Sequence, residues 1–368
     1  MPHRRILCLV LTSFSSTGGI EKFNRAFFKA LDETDRQLAI EWSAAGMYDS
    51  GSDDKYLPEE KFYPFYGKRI WFIIRNLFRF FSTDELILGH MNLSVMGVLF
   101  KWIRPSKKLT IICHGIEVFQ EVKGIQKKAL LAADCVLAVS NYTKQQLVTL
   151  QGLPEEKVIV FPNTLDPFFE LPSQFQKPSY LKERYGVKEN EMVLFTLTRL
   201  RSNEGYKGYD KVIRVLPRLL QHGYQFKYIL AGSADEKELF AVKNLISELG
   251  LQQHVILTGF IADEEVRDHY QLADVFVMPS KGEGFGIVYL EAMACGLPVI
   301  AGNKDGSTEA LQFGKLGTLI NPDDEDELFQ ALQTRLQQPG NPLKVQQQML
   351  EYFAFPKFRQ RLQEILAA

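Results

Sequence analysis

Cysteine is scarce. Cys8, Cys113, Cys135 and Cys295 are the four in 368 residues, and they stand too far apart for a metal-ligand spacing or a disulfide framework, which fits a reducing compartment. Long hydrophobic runs are missing as well, since none approaches the roughly 20 residues that span a bilayer. Arg4 and Arg5 precede an apolar stretch, residues 6–11, that superficially resembles a leader. It is short and passes into polar Thr12–Thr17 with no small-residue cleavage context, so it reads as a first strand. Excess charge of one sign is also lacking, because 43 basic residues face 44 acidic ones for a net −1. With no recognition motif beside it, that balance argues against a nucleic-acid partner. No Walker sequence, no Gly-x-Ser-x-Gly and no histidine–carboxylate cluster with metal spacing occurs, so a metal site is not expected.

What remains is a globular composition, 46% hydrophobic and 24% charged. At this length a single core is near its practical ceiling, and two domains are expected. Residues 6–14 are apolar and run into Ser-Ser-Thr-Gly-Gly, followed by a helical pattern over 20–31 with Phe23, Phe27 and Leu31 on one face. Strand, glycine turn and helix open a doubly wound α/β domain. Short apolar runs at 38–42, 85–88, 109–113, 135–139 and 158–161 extend it as a parallel sheet covered on both faces. Residues 1–165 form the expected first domain and 166–178, without periodicity, the linker. A second αβ series over 179–345 starts with strand 192–198, and an amphipathic stretch over 346–368 is expected to pack back on the first domain. Phe353, Phe355, Phe358, Leu362 and Ile365 are its apolar positions. In such folds ligands gather at the strand C-termini.

Neutral net charge hides a local excess of 12 basic over 4 acidic residues in 61–128. Lys68, Arg69, Trp71, Phe72, Arg75, Phe78, Arg79, Phe80 and Phe81 interleave cations with large apolar groups, and Lys101, Trp102, Arg104, Lys107 and Lys108 add to them. An anionic membrane surface touched through residues 67–108 is one account, and buried aromatics with snorkelling cations the other.

Four groups of residues stand where chemistry is expected. Glu291 is the lone charge in an apolar stretch, 285–300, and needs either a ligand or an internal partner. Glu283 follows strand 275–278 just before a helix start, a position that binds a ligand or merely satisfies the dipole, while Gly284 and Gly286, on either side of Phe285, leave room for a ligand at the backbone or simply make a turn. Arg199 follows strand 192–198 and Lys207 precedes Gly208 and the next helix; a bound diphosphate would hold both, and a solvated polar loop with Arg201 and Glu204 is the alternative. Gly18 and Gly19 follow the first strand without a dinucleotide fingerprint, and serve either a phosphate or sugar or an ordinary turn. His114 closes another strand, 109–113, as a site residue or a core-edge histidine.

The run Ala273–Ser280, then Glu283-Gly-Phe-Gly286 and Glu291-Ala-Met-Ala-Cys-Gly-Leu-Pro-Val-Ile300, joined to Gly18-Gly19, His114, Arg199 and Lys207, resembles the retaining, nucleotide-sugar-dependent glycosyltransferases of the GT-B fold, family 4. Asp305-Gly-Ser-Thr-Glu309 and Asn321-Pro-Asp-Asp324 continue it. The resemblance implies an α/β chain of two Rossmann-like domains facing a central cleft. It implies a hexose or N-acetylhexosamine donated by a UDP-sugar first, or a GDP-sugar second, without metal and without a permanently bound cofactor. The acceptor would be a saccharide or lipid-linked hydroxyl in cell-surface polysaccharide or glycolipid assembly, on the cytoplasmic side, peripheral to the membrane. In that pattern Glu291 takes the ribose hydroxyls, Glu283 the sugar near C3 and C4, Arg199 and Lys207 the diphosphate, Gly18 and Gly19 the diphosphate through backbone, and His114 the C6 hydroxyl near the anomeric centre. A GT-B epimerase acting on a UDP-sugar and a non-catalytic nucleotide-sugar-binding protein are the alternatives. The sequence does not fix an oligomeric state.

Overall fold

The computed structural model describes residues 4–367. They form two compact units, one running to Phe168 and resuming at Phe353, the other spanning Phe169–Tyr352. The first unit contains β1 (Arg4–Val10), α1 (Gly19–Leu38), β2 (Ile40–Gly46), β3 (Phe62–Pro64), α2 (Arg69–Phe80), β4 (Glu85–Leu88) and α3 (Ser94–Ile103). Then come β5 (Lys108–Cys113), α4 (Gly124–Ala132), β6 (Cys135–Ala138), α5 (Asn141–Thr149) and β7 (Val158–Val160). Its seven strands lie in the order β3-β2-β1-β4-β5-β6-β7, all parallel. Parallel strands covered by helices on both faces are mostly apolar, and β4 and β6 are buried at every position, with Glu85 at the start of β4 accepting the Thr110 hydroxyl.

The second unit contains α6 (Ser179–Arg184), β8 (Met192–Leu197), α7 (Tyr209–Gln221), β9 (Phe226–Ala231), α8 (Glu236–Glu248), β10 (Val255–Gly259) and α9 (Asp263–Leu272). It continues with β11 (Val275–Met278), α10 (Ile287–Ala294), β12 (Val299–Gly302), α11 (Ser307–Ala310), β13 (Thr318–Ile320), α12 (Glu325–Gln337) and α13 (Pro342–Phe353). Six parallel strands run β10-β9-β8-β11-β12-β13. In both sheets the order reverses beside the first strand, at β1/β4 and at β8/β11. The carboxyl ends of those pairs diverge into a crevice, the place where open α/β sheets take ligands.

Two local outcomes depart from the sequence reading, and a third bears on alternatives it left open. Helix α1 continues to Leu38 and stops at Ala39, which adopts the left-handed conformation (φ 51°, ψ 47°), so β2 begins at Ile40 and not at 38. Burial of Phe27, Phe28, Leu31 and Thr34 keeps the helix packed past residue 31. The stretch from Tyr352 is broken at Ala354, after which α14 (Phe355–Ala367) belongs to the first unit. It buries Phe358, Leu362 and Leu366, with Phe358 against Phe23 and Phe161 (ring centroids 5.7 and 4.4 Å), while Ile365 lies off that face.

The third concerns the basic-aromatic segment. Phe72 and Phe80 are fully buried, part of the core beneath α2. The Arg79 guanidinium stacks 3.6 Å from the Tyr63 ring centroid and donates to Asn76. Lys101 pairs with Asp134 and Lys107 with Asp84. These residues are therefore engaged within the fold. Among the described residues no helix is long and apolar enough to cross a membrane.

Candidate active site

In the second unit three strand exits knit into one platform. The exit of β8 carries Arg199 and a loop ending in a single 3-10 turn at Lys207, then Gly208, which caps α7. The exit of β11 carries Pro279–Gly286, and that of β12 carries Asn303–Gly306. Gly208 has φ +79°, and a Cβ there would lie 2.4 Å from the Pro279 carbonyl oxygen, so only glycine lets the two loops meet. Lys281 donates its N–H to the Tyr206 carbonyl at 2.9 Å. Gly302 packs equally tightly, since a Cβ would stand 1.8 Å from the Ser280 carbonyl oxygen.

Asp305 ties this platform together. Its carboxylate accepts the Glu283 N–H (2.7 Å) on Oδ2 and the Ser307 N–H (3.0 Å) and hydroxyl on Oδ1. Gly306 returns the bond, donating to the Glu283 carbonyl at 2.9 Å. Burial pushes the Asp305 carboxyl up to about 6, against the pull of the Ser307 and Glu283 donors, and the Glu283 charge adds to the rise. The sequence reading quoted Asp305 only within a resemblance. Its position at the exit of β12, beside the Glu283 loop, is tertiary information.

On this platform Lys207 Nζ bonds Glu283 Oε1, with both side chains nearly enclosed. The cation at the start of α7, unfavourable beside a helix N-terminus by itself, thus has a resident carboxylate partner. Arg199 reaches Glu204 at 2.9 Å and leaves most of its guanidinium in solvent. The other Glu204 carboxylate oxygen is buried without a hydrogen-bond partner. Glu291, only 1% exposed in α10, accepts the Tyr270 hydroxyl at 3.0 Å. Burial and that carboxylate drive the Tyr270 phenol well above its ordinary range. Phe285 and Gly284 are buried. Gly286 is half-buried at φ +91° over the Tyr289 ring, so it answers a packing need as well as leaving the backbone open. Helices α7 and α10 begin on glycine without a side-chain cap, whereas Asp235 caps α8 and Asp324 caps α12. Uncapped N–H groups at a strand exit are available to an anion.

In the first unit the crevice between β1 and β4 carries its own set. Gly18 caps α1 in extended conformation with no side-chain cap, and a Cβ on Gly19 would meet nothing within 4 Å. The turn before them is held by Asp49, fully buried, which accepts N–H bonds from Ser13, Phe14 and Ser15 (2.9–3.1 Å) and the Thr12 hydroxyl (3.0 Å). This carboxylate follows β2, where dinucleotide folds place their ribose ligand, yet here it is spent on the backbone.

His114 leaves β5 with Nε2 at 2.8 Å from the Gly89 carbonyl, its N–H donating to Glu117, and its ring edge-on to Phe23 (5.0 Å). A carbonyl only accepts, so Nε2 carries the proton and Nδ1 is the free lone pair of a neutral ring. Burial lowers the His114 pKa to about 4, with the Gly89 bond opposing. His90, at the neighbouring exit of β4, stacks on His114 (6.3 Å, 28°), and burial lowers its pKa as well. The sequence reading missed His90, although Gly89-His90 ends a strand just as Cys113-His114 does.

Among the described residues no group of three or more His, Cys, Asp or Glu is arranged to hold a metal ion. A cavity of about 640 Å³ opens at the amino ends of β1 and β2, lined by Arg5, Trp42, Lys61 and Arg79 among others, opposite the strand exits that carry the candidate residues.

Comparison with known proteins adds a family to this geometry. The model of the family described as glycosyl transferases group 1 matches residues 180–352, and that of glycosyltransferase family 4 matches residues 18–168. A GDP-mannose-dependent alpha-(1-6)-phosphatidylinositol monomannoside mannosyltransferase of Mycolicibacterium smegmatis is 32% identical over 64% of this chain and 62% of its own. An uncharacterized glycosyltransferase of Methanocaldococcus jannaschii is 30% identical over 52% of this chain and 48% of its own. The match thus spans between about half and 62% of these relatives' lengths. The crystal structure of Anabaena Alr3699/HepE in complex with UDP and glucose superposes with a TM-score of 0.78 at 23% identity, covering 99% of this chain and 100% of that one. With each unit matched by a glycosyltransferase family model and the fold shared, the chain has the GT-B fold and is related to the glycosyl transferases group 1 family.

Proposed function

We propose that the chain is a retaining glycosyltransferase. It moves a hexose or N-acetylhexosamine from a UDP- or GDP-sugar to a saccharide or lipid-linked hydroxyl, in polysaccharide or glycolipid assembly. The observation that carries this reading is the Lys207–Glu283 pair, seated on a platform of three strand exits beside the uncapped starts of α7 and α10. The relative named for GDP-mannose and the structural neighbour named with UDP support a nucleotide-sugar donor, one for each base.

The chemistry follows from where charge develops. Breaking the anomeric C–O bond leaves positive character on the sugar and negative charge on the departing diphosphate. Lys207, Arg199 and the N–H groups opening α7 and α10 meet the negative end without reorganising, as a preorganised site should. Arg199 can do so because, although it touches Glu204, its own side chain stays largely exposed. Glu283 accepts from hydroxyls of the transferred sugar while Lys207 pairs with its carboxylate and orients it, and Glu291 serves the ribose. Gly18 and Gly19 offer uncapped backbone N–H groups to the diphosphate. His114, neutral above pH about 4, suits a hydroxyl such as that on C6 better than a phosphate, since it brings a lone pair and no charge. The two cations do the work a metal would otherwise do.

The setting we propose is the cytoplasmic side of a membrane, the chain lying peripherally against anionic lipid through the segment 67–108. Four free, buried cysteines suit a reducing compartment. The test is incorporation of label from UDP- and GDP-sugars into saccharide and lipid extracts, with the product anomer read by NMR. Transfer with the donor's anomeric configuration kept supports the reading. Donor binding with no transfer to any acceptor, or an inverted product, overturns it.

A further inference from the structure

Helix α2 is apolar on the side it should not be. Its buried face, with Phe72, Asn76 and Phe80, lies on the core. Its solvent face, positions 70, 71, 74, 75, 78 and 81, follows one helical stripe. That stripe reads Ile70 (74% exposed), Trp71 (55%), Ile74 (39%), Arg75, Phe78 (71%) and Phe81 (65%). Arg104, just past α3, donates to the Phe80 and Phe81 carbonyls and brings the last turn of α3 alongside, where Trp102 is 81% exposed. Five large apolar side chains and a tryptophan in one solvent-facing patch exceed what a monomer leaves open without a use.

The charges on this patch say what covers it. No Asp or Glu occurs between Phe62 and Thr83. Lys68, Arg69 and Arg75 are exposed and have no carboxylate partner among the described residues; Arg69 lies over Tyr48 and Arg75 over Trp71. A second copy seated face to face would set Arg75 and its neighbours against their own twins with no acid to answer them. A bilayer surface supplies both missing components, an apolar layer for the rings and anionic headgroups for the cations.

We infer that α2 is an interfacial helix, lying along an anionic bilayer with Ile70, Trp71, Ile74, Phe78, Phe81 and Trp102 in the headgroup–acyl boundary and Lys68, Arg69 and Arg75 at the phosphates. Arg79, stacked on Tyr63, takes no part. The inference deepens the membrane setting proposed above and rests on it, but makes no use of the transfer chemistry.

Flotation of the full chain with phosphatidylcholine vesicles, with and without phosphatidylglycerol, tests it in the absence of donor and acceptor. The protein floats with the anionic vesicles, and salt releases much of it. Arg75→Gln weakens partitioning about fivefold, the weight of one cation near an anionic surface. Phe78→Ser with Phe81→Ser weakens it more than about tenfold, two inserted side chains being lost. All the altered side chains are exposed, so unfolding midpoints should stay within a degree or two of wild type. Equal recovery from both vesicle types, or unchanged flotation of the two variants, overturns the inference. So does a dimer in solution that Phe78→Ser and Phe81→Ser abolish, since the face would then belong to a second copy. Because the vesicles carry no acceptor, failed flotation leaves the transfer reading standing, and failed transfer leaves this one standing.

Discussion

Asp305→Asn separates the folding role of the platform from its role at the site. The asparagine oxygen can keep the Ser307 N–H bond made on Oδ1, but an amide NH₂ then faces the Glu283 N–H that now donates to Oδ2. Leaving that donor unpaired costs about 1–3 kcal/mol. A second effect runs the other way with pH. The Asp305 carboxyl is raised from 3.8 to about 6 by burial, so between those values the unfolded chain has released a proton that the folded chain keeps. A raised carboxyl pKa gives stability that is full below about 4 and lost as pH rises through about 6, a loss of about 3 kcal/mol for a shift of this size. The amide that replaces it carries no such penalty at any pH. The stability difference between wild type and variant should therefore shift by about 2–3 kcal/mol toward the variant between pH 4 and pH 7.5, enough to offset most or all of the lost hydrogen bond. Urea unfolding at several pH values measures it, and differencing the two proteins cancels carboxylates such as Asp323, whose pairing with Lys281 and Lys304 acts with the opposite sign. At pH 7.5, where the two proteins are close in stability, KM for the donor should still rise in the variant because the Glu283 loop has lost its tether. A gap independent of pH would refute the burial of an ionisable Asp305. An unchanged KM would refute its hold on Glu283.

Two other perturbations follow from the same geometry. Gly302→Ala places a Cβ 1.8 Å from the Ser280 carbonyl oxygen, and backbone contact of that kind should cost about 3 kcal/mol or more and lower the unfolding midpoint by several degrees; a midpoint at the wild-type value would show that the loops are not in contact. His114, with its pKa lowered to about 4, should show no imidazole titration by NMR between pH 5 and 8. A transition near 6.5 would remove its neutral role.

Strand exits were the most legible part of the molecule. Residues 192–198, apolar but for Thr196 and Thr198, and the wholly apolar 275–278 end in polar or glycine-rich turns, so Arg199, Glu283 and the glycines beside them could be placed at carboxyl ends from pattern alone. Partners were not legible. Arg199 contacts Glu204, five residues on, which the sequence offered merely as a loop charge, and Lys207 contacts Glu283, 76 residues away. Asp49 and Asp305 escaped because each acts by accepting backbone N–H groups from a turn on another strand, and such bonds leave no residue pattern. Glu291 was marked by its isolation among apolar neighbours, and Tyr270, its hydroxyl donor, came from a separate helix. In the basic-aromatic segment the sequence left buried and exposed aromatics undivided: a helical stripe separates Phe72 and Phe80, buried, from Trp71 and Phe78, exposed, though all four look alike in the sequence.

The central claim is that Glu283, held by Lys207 and Asp305, recognises the sugar of a nucleotide donor. Equilibrium binding of UDP- and GDP-sugars, and of UDP and GDP alone, to wild type and to Glu283→Gln tests it most directly. The account predicts that the variant loses about tenfold or more in affinity for the nucleotide sugar that wild type prefers, the worth of a hydrogen bond to a charged group, while affinity for the bare nucleotide stays nearly unchanged. Equal affinity of both proteins for every nucleotide sugar would contradict it.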